Sequence, residues 1–401
     1  MRNSWKRVCS AAVLTVALVA TTGTPAHAAP AAGPDPVLLQ RMLDGITETG
    51  VPGAVAQVRI GGKTWSGASG KADLRTGRTA RPGDKYRIGS VTKTMVATVA
   101  LQLVADGELG LDQPVSRLLP GLLPDRRITL RHLLQHTSGL PDYDDKLFAG
   151  TTWEEVYANI ERHRHRVHTP TGLVRLALTD PAPRPAPGTA MAYANTNYLV
   201  IGLLIEKVTK RPVSAELVRR VIVPAGLRHT SLPVYDPSIS GSHLRGYTVG
   251  LTEEAPLVDT TVYTPTVWWT AGSVVSTSAD LNRFFRALFD GRLLPKRLLS
   301  AMAPTDAFGG YGLGLAKIEL PCAAAPVAWG HDGLVFGYLT YAFSTPDGRR
   351  QVSVNASLYL TEAELGAITN FMAAALCGHE LPAGAAARPG AGTKLAPAAT
   401  R

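Results

Sequence analysis

Ser90-Val91-Thr92-Lys93 heads the run SVTKTMVATVALQLVAD over residues 90–106. The run is apolar around most of a 3.6-residue period, which predicts a long helix buried on most sides. Serine and lysine three positions apart share one face of such a helix, so the amine can reach the hydroxyl. A buried lysine can give up its proton and act as a base. The helix N-terminus adds backbone N–H groups and a positive partial charge where an oxyanion would form. S-x-x-K alone arises by chance about once in a chain of this length, so its weight comes from what surrounds it.

Two further groups carry chemistry. Tyr193-Ala194-Asn195 follows Pro187-Gly188 and precedes a helical pattern over Tyr198 to Lys210. In extended backbone, residues two apart point the same way, which brings a phenol and an amide to one place. A tyrosine can shuttle a proton, and an asparagine can hold a lysine and a substrate carbonyl. The plainer reading is an N-capping asparagine beside a packing tyrosine. Gly330-His331-Asp332-Gly333 lies between strand-like segments. Its glycines would let a substrate backbone approach a strand edge, or would make a simple turn with a surface histidine.

The surrounding pattern predicts an α+β fold. Leu38 to Thr47 has helical spacing, Gly53 to Ile60 alternates as a strand, and Gly61-Gly62 turns into a second strand near Thr64 to Ser69. Ala279 to Phe289 and Glu362 to Leu376 read as helices; Val327 to Trp329, Gly337 to Ser344 and Gln351 to Ala356 read as strands. Strands at both ends imply one antiparallel sheet built from both termini and flanked by helices. Residues 35–110 with 266–380 form this α/β part, and residues 111–265 form an inserted, mostly helical domain. A cleft between the two parts is the natural place for a site.

Composition bounds the function. The chain has 401 residues, 45% of them hydrophobic, which excludes wholesale disorder. No stretch reaches the roughly 20 apolar residues that span a bilayer. Arg2, Lys6 and Arg7, the apolar stretch Val8 to Ala20 and Ala26-His27-Ala28 predict a signal peptide over residues 1–28, cut after Ala28, and hence a secreted protein. Its removal lowers the formal charge from +10 to +7. The basic residues are scattered without interleaved aromatics, so no nucleic-acid partner is expected. Residues 29–34 read as a linker, and residues 381–401, rich in Ala, Gly and Pro, as a disordered tail. Cys9 leaves with the signal; Cys322 and Cys377 remain, and in an oxidising compartment they either pair as a disulfide or stay as two free thiols. Two cysteines cannot build a Cys-rich zinc site. His132 and His136 are four apart but lack an adjacent glutamate, and His163, His165 and His168 sit in a basic run that reads as a solvated face.

Taken together and in order, these features resemble the serine penicillin-recognising family: class C β-lactamases, D-alanyl-D-alanine carboxypeptidases and related esterases. The likeness is strongest to the secreted Streptomyces-type carboxypeptidases and spans roughly residues 35–378. It rests on Tyr86-Arg87-Ile88-Gly89-Ser90-Val91-Thr92-Lys93, Pro120-Gly121-Leu122-Leu123-Pro124, Ile128-Thr129-Leu130, Ser138-Gly139-Leu140, Tyr193-Ala194-Asn195-Thr196-Asn197-Tyr198, Tyr311-Gly312-Leu313-Gly314-Leu315 and Tyr338-Leu339-Thr340-Tyr341-Ala342-Phe343. The resemblance implies a β-lactamase/transpeptidase-like fold. It implies Ser90 as nucleophile, Lys93 as its base, Tyr193 as proton relay and Asn195 as the residue orienting Lys93 and the acyl amide. His331 stands where the third motif has Lys or His, with Asp332 and Gly333 beside the substrate. The backbone N–H groups of Ser90 and Leu334 would form the oxyanion hole. The implied reaction is acyl transfer through an acyl-enzyme, without metal or cofactor, on a small peptide or ester substrate, by a monomer that β-lactams can acylate.

The leading expectation is a D-alanyl-D-alanine carboxypeptidase acting on wall peptides. One departure bears on it. Where such enzymes grip a carboxylate with a threonine, a second hydroxyl and an arginine, this chain has Asp332, Leu334 and Ala316. Two like charges about 4 Å apart cost about 4 kcal/mol at an effective dielectric of about 20, several hundredfold or more in binding. Lys317 and Arg245 are the cations that could compensate. The alternatives are an esterase or D-aminopeptidase, a class C-like β-lactamase, or a penicillin-binding sensor or decoy that is acylated without turnover.

Overall fold

The computed structural model describes residues 33–251, 255–358 and 362–381. The signal segment 1–28, most of the linker and all but the first residue of the tail 381–401 lie outside the described residues.

The elements that position the site are α1 (Pro36–Glu48), β1 (Gly53–Ile60), β2 (Lys63–Asp73), β3 (Arg78–Thr79), α2 (Val91–Ala105), α3 (Leu130–Leu134), α4 (Asn195–Thr209), α5 (Trp269–Gly272), α6 (Ser278–Phe289), β4 (Ala316–Glu319), β5 (Val327–Val335), β6 (Tyr338–Ser344), β7 (Arg350–Ala356) and α7 (Glu362–Cys377). The seven strands form one sheet in the order β3-β2-β1-β7-β6-β5-β4. N-terminal β1 pairs antiparallel with C-terminal β7, Ala54 opposite Ala356 and Ile60 opposite Arg350, so the two ends of the chain meet at mid-sheet. The hairpin between β1 and β2 turns on Gly61 and Gly62, both at positive φ (55° and 94°), as a tight two-residue turn requires.

Each face of the sheet is covered by helices whose apolar stripes fit it. Asp35 caps α1 by accepting the Val37 and Leu38 N–H groups, Pro36 starts the helix, and Leu39, Leu43 and Ile46 face inward. α1 and α7 share one face with an apolar cluster that includes Val58, Phe343, Val354 and Phe371. α2 and α6 take the other face. α2 is buried almost all round, as its pattern predicts, and its threonines are satisfied: Thr94 donates to the Gly314 carbonyl at 2.8 Å, Thr98 to the Thr94 carbonyl at 2.8 Å, and Thr92 accepts from the Val274 N–H at 3.1 Å. Within 111–265 the regular elements are short helices and the long α4, separated by irregular segments, with one short strand pair, Tyr247–Thr248 with Val258–Asp259.

The clearest departure from the sequence reading is β5. Gly330-His331-Asp332-Gly333 does not connect strands; it lies inside one. β6 pairs along the whole motif, from Tyr338 opposite Val335 to Ser344 opposite Trp329. β4 covers only the first half of the other edge, from Val327 to Gly330. Beyond Gly330 that edge is turned toward residues 88–90. Cys322 and Cys377 are joined, Cα to Cα 5.8 Å, tying the loop after β4 to the end of α7. Among the described residues no helix is long and apolar enough to cross a membrane.

Candidate active site

Ser90 sits at the start of α2, where the chain passes under the open edge of β5. Two glycines permit the approach. A Cβ on Gly333 would lie 2.0 Å from the Ile88 carbonyl oxygen and 2.9 Å from the Ser90 nitrogen; one on Gly89 would lie 2.8 Å from the Leu334 nitrogen. The backbone N–H groups of Ser90 and Leu334 are thereby brought to the same contact, one from each element.

Lys93 rises one turn along α2 and is fully buried. Its Nζ donates to Asn195 Oδ1 at 2.6 Å and to the Ala271 carbonyl at 2.8 Å, and lies 2.8 Å from Ser90 Oγ. Asn195 is the first residue of α4, and Ala194 rather than Asn195 occupies the cap position. The Asn195 side chain is engaged by the site instead: its Nδ2 donates to Asp144 at 3.0 Å and to Asp142 at 3.3 Å. The Tyr193 phenol faces the Ser90 hydroxyl closely enough to be influenced by it, and its ring centre lies 4.9 Å from Lys93 Nζ. Burial pushes the Tyr193 phenol well above its usual range; the Ser90 hydroxyl opposes this, and the Asp332 and Asp142 carboxylates add to it. Tyr193 is therefore a neutral donor at physiological pH.

His331 is one layer back. Its Nδ1 is 2.5 Å from the Asp332 carbonyl oxygen and its Nε2 is 2.9 Å from the Tyr311 hydroxyl. The proton thus belongs on Nδ1, and Tyr311 donates to Nε2. Burial first, then the charge of Lys93, lowers the imidazole to about 3, so it is neutral. Its ring centre is 6.4 Å from that of Tyr193. Ser90, Lys93, Tyr193, Asn195, Asp332, Gly333 and Leu334 are thus brought together, with His331 behind them; Cys322 and Cys377 belong to the disulfide.

Four contributors escaped the sequence reading. Asp142 and Asp144 hold Asn195; they flank Tyr143 two positions apart, a spacing that could have signalled a paired role. Tyr311 anchors His331, and Ala271 supplies a carbonyl, which no side-chain pattern reports. His132 and His136 do not share a helix face: His132 caps α3 with Thr129, whereas His136 lies in the turn past the helix at φ 56° and stacks on Tyr193. His163 and His168 are not a fully solvated face either; their half-buried rings lie 5.3 Å apart.

Three carboxylates lie near this site, Asp142 and Asp144 on Asn195 and Asp332 beside Tyr193. The two cations that could compensate Asp332 are engaged elsewhere: Lys317 pairs with Asp306 and, at 3.0 Å, with Glu319, and Arg245 pairs with Asp259.

The family model described as Beta-lactamase matches residues 38–370. Among solved structures, the chain is similar to a D-stereospecific amidohydrolase from Streptomyces sp., with 36% identity and a TM-score of 0.75 over 86% of this chain and 99% of that one. It is also similar to the D-amino acid amidase from Ochrobactrum anthropi SV3, with 26% identity and a TM-score of 0.70 over 82% and 93% of the two chains. A penicillin-binding protein of Bacillus subtilis (strain 168) is 27% identical over 74% of this chain, which spans 64% of that protein's length, under two thirds.

Proposed function

We propose that this chain, a serine hydrolase that belongs to the Beta-lactamase family, cleaves amides and esters of D-amino acids bearing a free α-amine, through an acyl-enzyme at Ser90. Asn195 Oδ1 and the Ala271 carbonyl can only accept, so they fix two Lys93 N–H bonds. The remaining position faces Ser90, where the amine lone pair takes the hydroxyl proton as Oγ attacks the carbonyl carbon. The N–H groups of Ser90 and Leu334 receive the oxyanion. The leaving amine takes a proton through Tyr193 and departs, leaving an ester on Ser90. Water then attacks that ester, the acid leaves, and Ser90 regains its proton.

The observation that carries the amine preference is the charge around the nucleophile. Asp142, Asp144 and Asp332 are grouped there, while Lys317 and Arg245 are paired away. Such a site favours an ammonium over a carboxylate. The D preference rests on the named amidohydrolase and amidase. A D-alanyl-D-alanine carboxypeptidase is the second reading, favoured by the likeness to penicillin-binding proteins. Either activity would operate outside the cell, in keeping with the export segment read in the sequence.

The deciding experiment compares D-alanine amide, its N-acetyl derivative and an N-acylated Lys-D-Ala-D-Ala peptide, with Ser90→Ala as control. Acetylation is expected to lower kcat/KM about 10²-fold or more, since it removes an ion pair of about 4 kcal/mol. Asp332→Asn should lower turnover of the free amine selectively. Faster release of D-alanine from the acylated peptide than of ammonia from the amide would overturn the amine reading in favour of the carboxypeptidase.

A further inference from the structure

We infer that His136 is a positioning residue for Tyr193, holding the phenol at Ser90 from behind; this rests on the reading of Tyr193 as the donor to the leaving group. The imidazole stacks on the Tyr193 ring with centroids 4.1 Å apart and planes at 26°. It also holds the backbone on both sides of that residue. The His136 carbonyl accepts the Ala192 N–H at 2.8 Å, and His136 Nδ1 accepts the Ala194 N–H at 3.2 Å. One residue therefore fixes the chain before Tyr193, the chain after it, and the ring itself.

The histidine is in turn fixed. Ser138 donates to Asn197 Oδ1 at 2.5 Å, so Asn197 presents its Nδ2, 3.1 Å away, to His136 Nδ1. Two donors converge on Nδ1, which places the proton on Nε2 and leaves Nδ1 as a pure acceptor. The ring is fully buried, with Tyr311 edge-on at 5.0 Å on another side. Its backbone is left-handed at φ 56°, a conformation that costs about 1 kcal/mol or more for a non-glycine residue. Glycine would meet that need without strain but would supply neither ring nor acceptor. The Ser138-Gly139-Leu140 turn thus acts on the catalytic tyrosine through two intermediates, Asn197 and His136.

A misplacement of about 1 Å in a proton donor can cost about 10²-fold in rate. The cost falls only where the leaving group needs a proton. An amine does; p-nitrophenolate leaves without one. The experiment therefore measures kcat/KM on an amide and on the matching p-nitrophenyl ester for wild type, His136→Phe, His136→Asn, His136→Ala and Tyr193→Phe. The amide is a D-amino acid amide or the N-acylated D-Ala-D-Ala peptide, whichever wild type cleaves, so a failure of the amine reading is seen separately. His136→Phe keeps a ring without an acceptor. His136→Asn keeps an acceptor and tolerates the left-handed backbone.

Both are expected to lose amide turnover about 10- to 100-fold while ester turnover stays within about threefold. His136→Asn should retain more amide turnover than His136→Ala. Equal loss on both substrates in folded variants would mean ordinary packing and would overturn the inference, as would no loss on either. Selective loss in Tyr193→Phe alone would overturn it while sparing the role of the tyrosine. An unchanged ratio in Tyr193→Phe would remove both.

Discussion

Two neutral imidazoles stand behind the nucleophile, and their neutrality has a cost in acid. Burial and the Lys93 charge lower His331 to about 3; the same causes, with His331 added, hold His136 well below its usual value. In the unfolded chain both would titrate near about 6.5. Below that pH the unfolded state binds protons that the folded state refuses, so stability falls as pH falls. For His331 the contribution is complete above about 6.5 and is lost progressively down to about 3. Within that window each imidazole contributes a slope of up to about 1.4 kcal/mol per pH unit. Urea midpoints measured from pH 6.5 to 5, above the range where most carboxylates titrate, should fall for wild type. The fall should be shallower for His331→Gln, which removes one of the lowered imidazoles and leaves His136, His132, His163 and His168. An identical slope in that variant would mean that His331 is not held neutral by the fold.

At the scale of elements, the site exists because the open half of β5 lies against the start of α2, and this contact is made by backbone. Gly333→Ala would drive a methyl to within 2.0 Å of the Ile88 carbonyl, with no side chain able to move aside. The expected result is a loss of about 1–3 kcal/mol of stability and at least about 10²-fold in kcat/KM, because the two N–H groups separate. Gly366 on α7 is the control, since a methyl there would meet nothing within 4 Å: Gly366→Ala should stabilise by up to about 1 kcal/mol and leave turnover unchanged. Wild-type activity in Gly333→Ala would show that the approach is less tight than the distances imply. The same contrast explains what was legible in the sequence. α2 and the β1–β2 hairpin announce themselves through local periodicity and paired glycines. β5 does not, because Gly-His-Asp-Gly has neither alternation nor strand propensity; its neighbours β6 and β4 impose its conformation through the ladder. Asp142, Asp144 and Tyr311 were missed for the related reason that they meet Asn195 and His331 only through the tertiary fold.

At the scale of the whole molecule, the two ends of the chain meet in the middle of the sheet, with β1 paired to β7 and α1 packed beside α7. A fold assembled from distant segments has a large loop-closure cost, and the Cys322–Cys377 bond, with a sequence separation of 55, reduces it where α7 meets the sheet. In the chain-entropy account a loop of that size contributes about 4 kcal/mol through the unfolded state. Such a bond persists chiefly where the medium is oxidising. The double variant Cys322→Ser with Cys377→Ser should therefore melt about 5 °C lower than wild type, given the unfolding entropy of a chain this long. Reductant should lower the wild-type Tm toward that of the double variant and leave the double variant unmoved. Intact mass under non-reducing conditions supplies the independent reading: a wild-type mass two hydrogens below the dithiol value accompanies the stabilisation, whereas two titratable thiols and an unshifted Tm would mean that the termini are held together by the sheet and its helices alone.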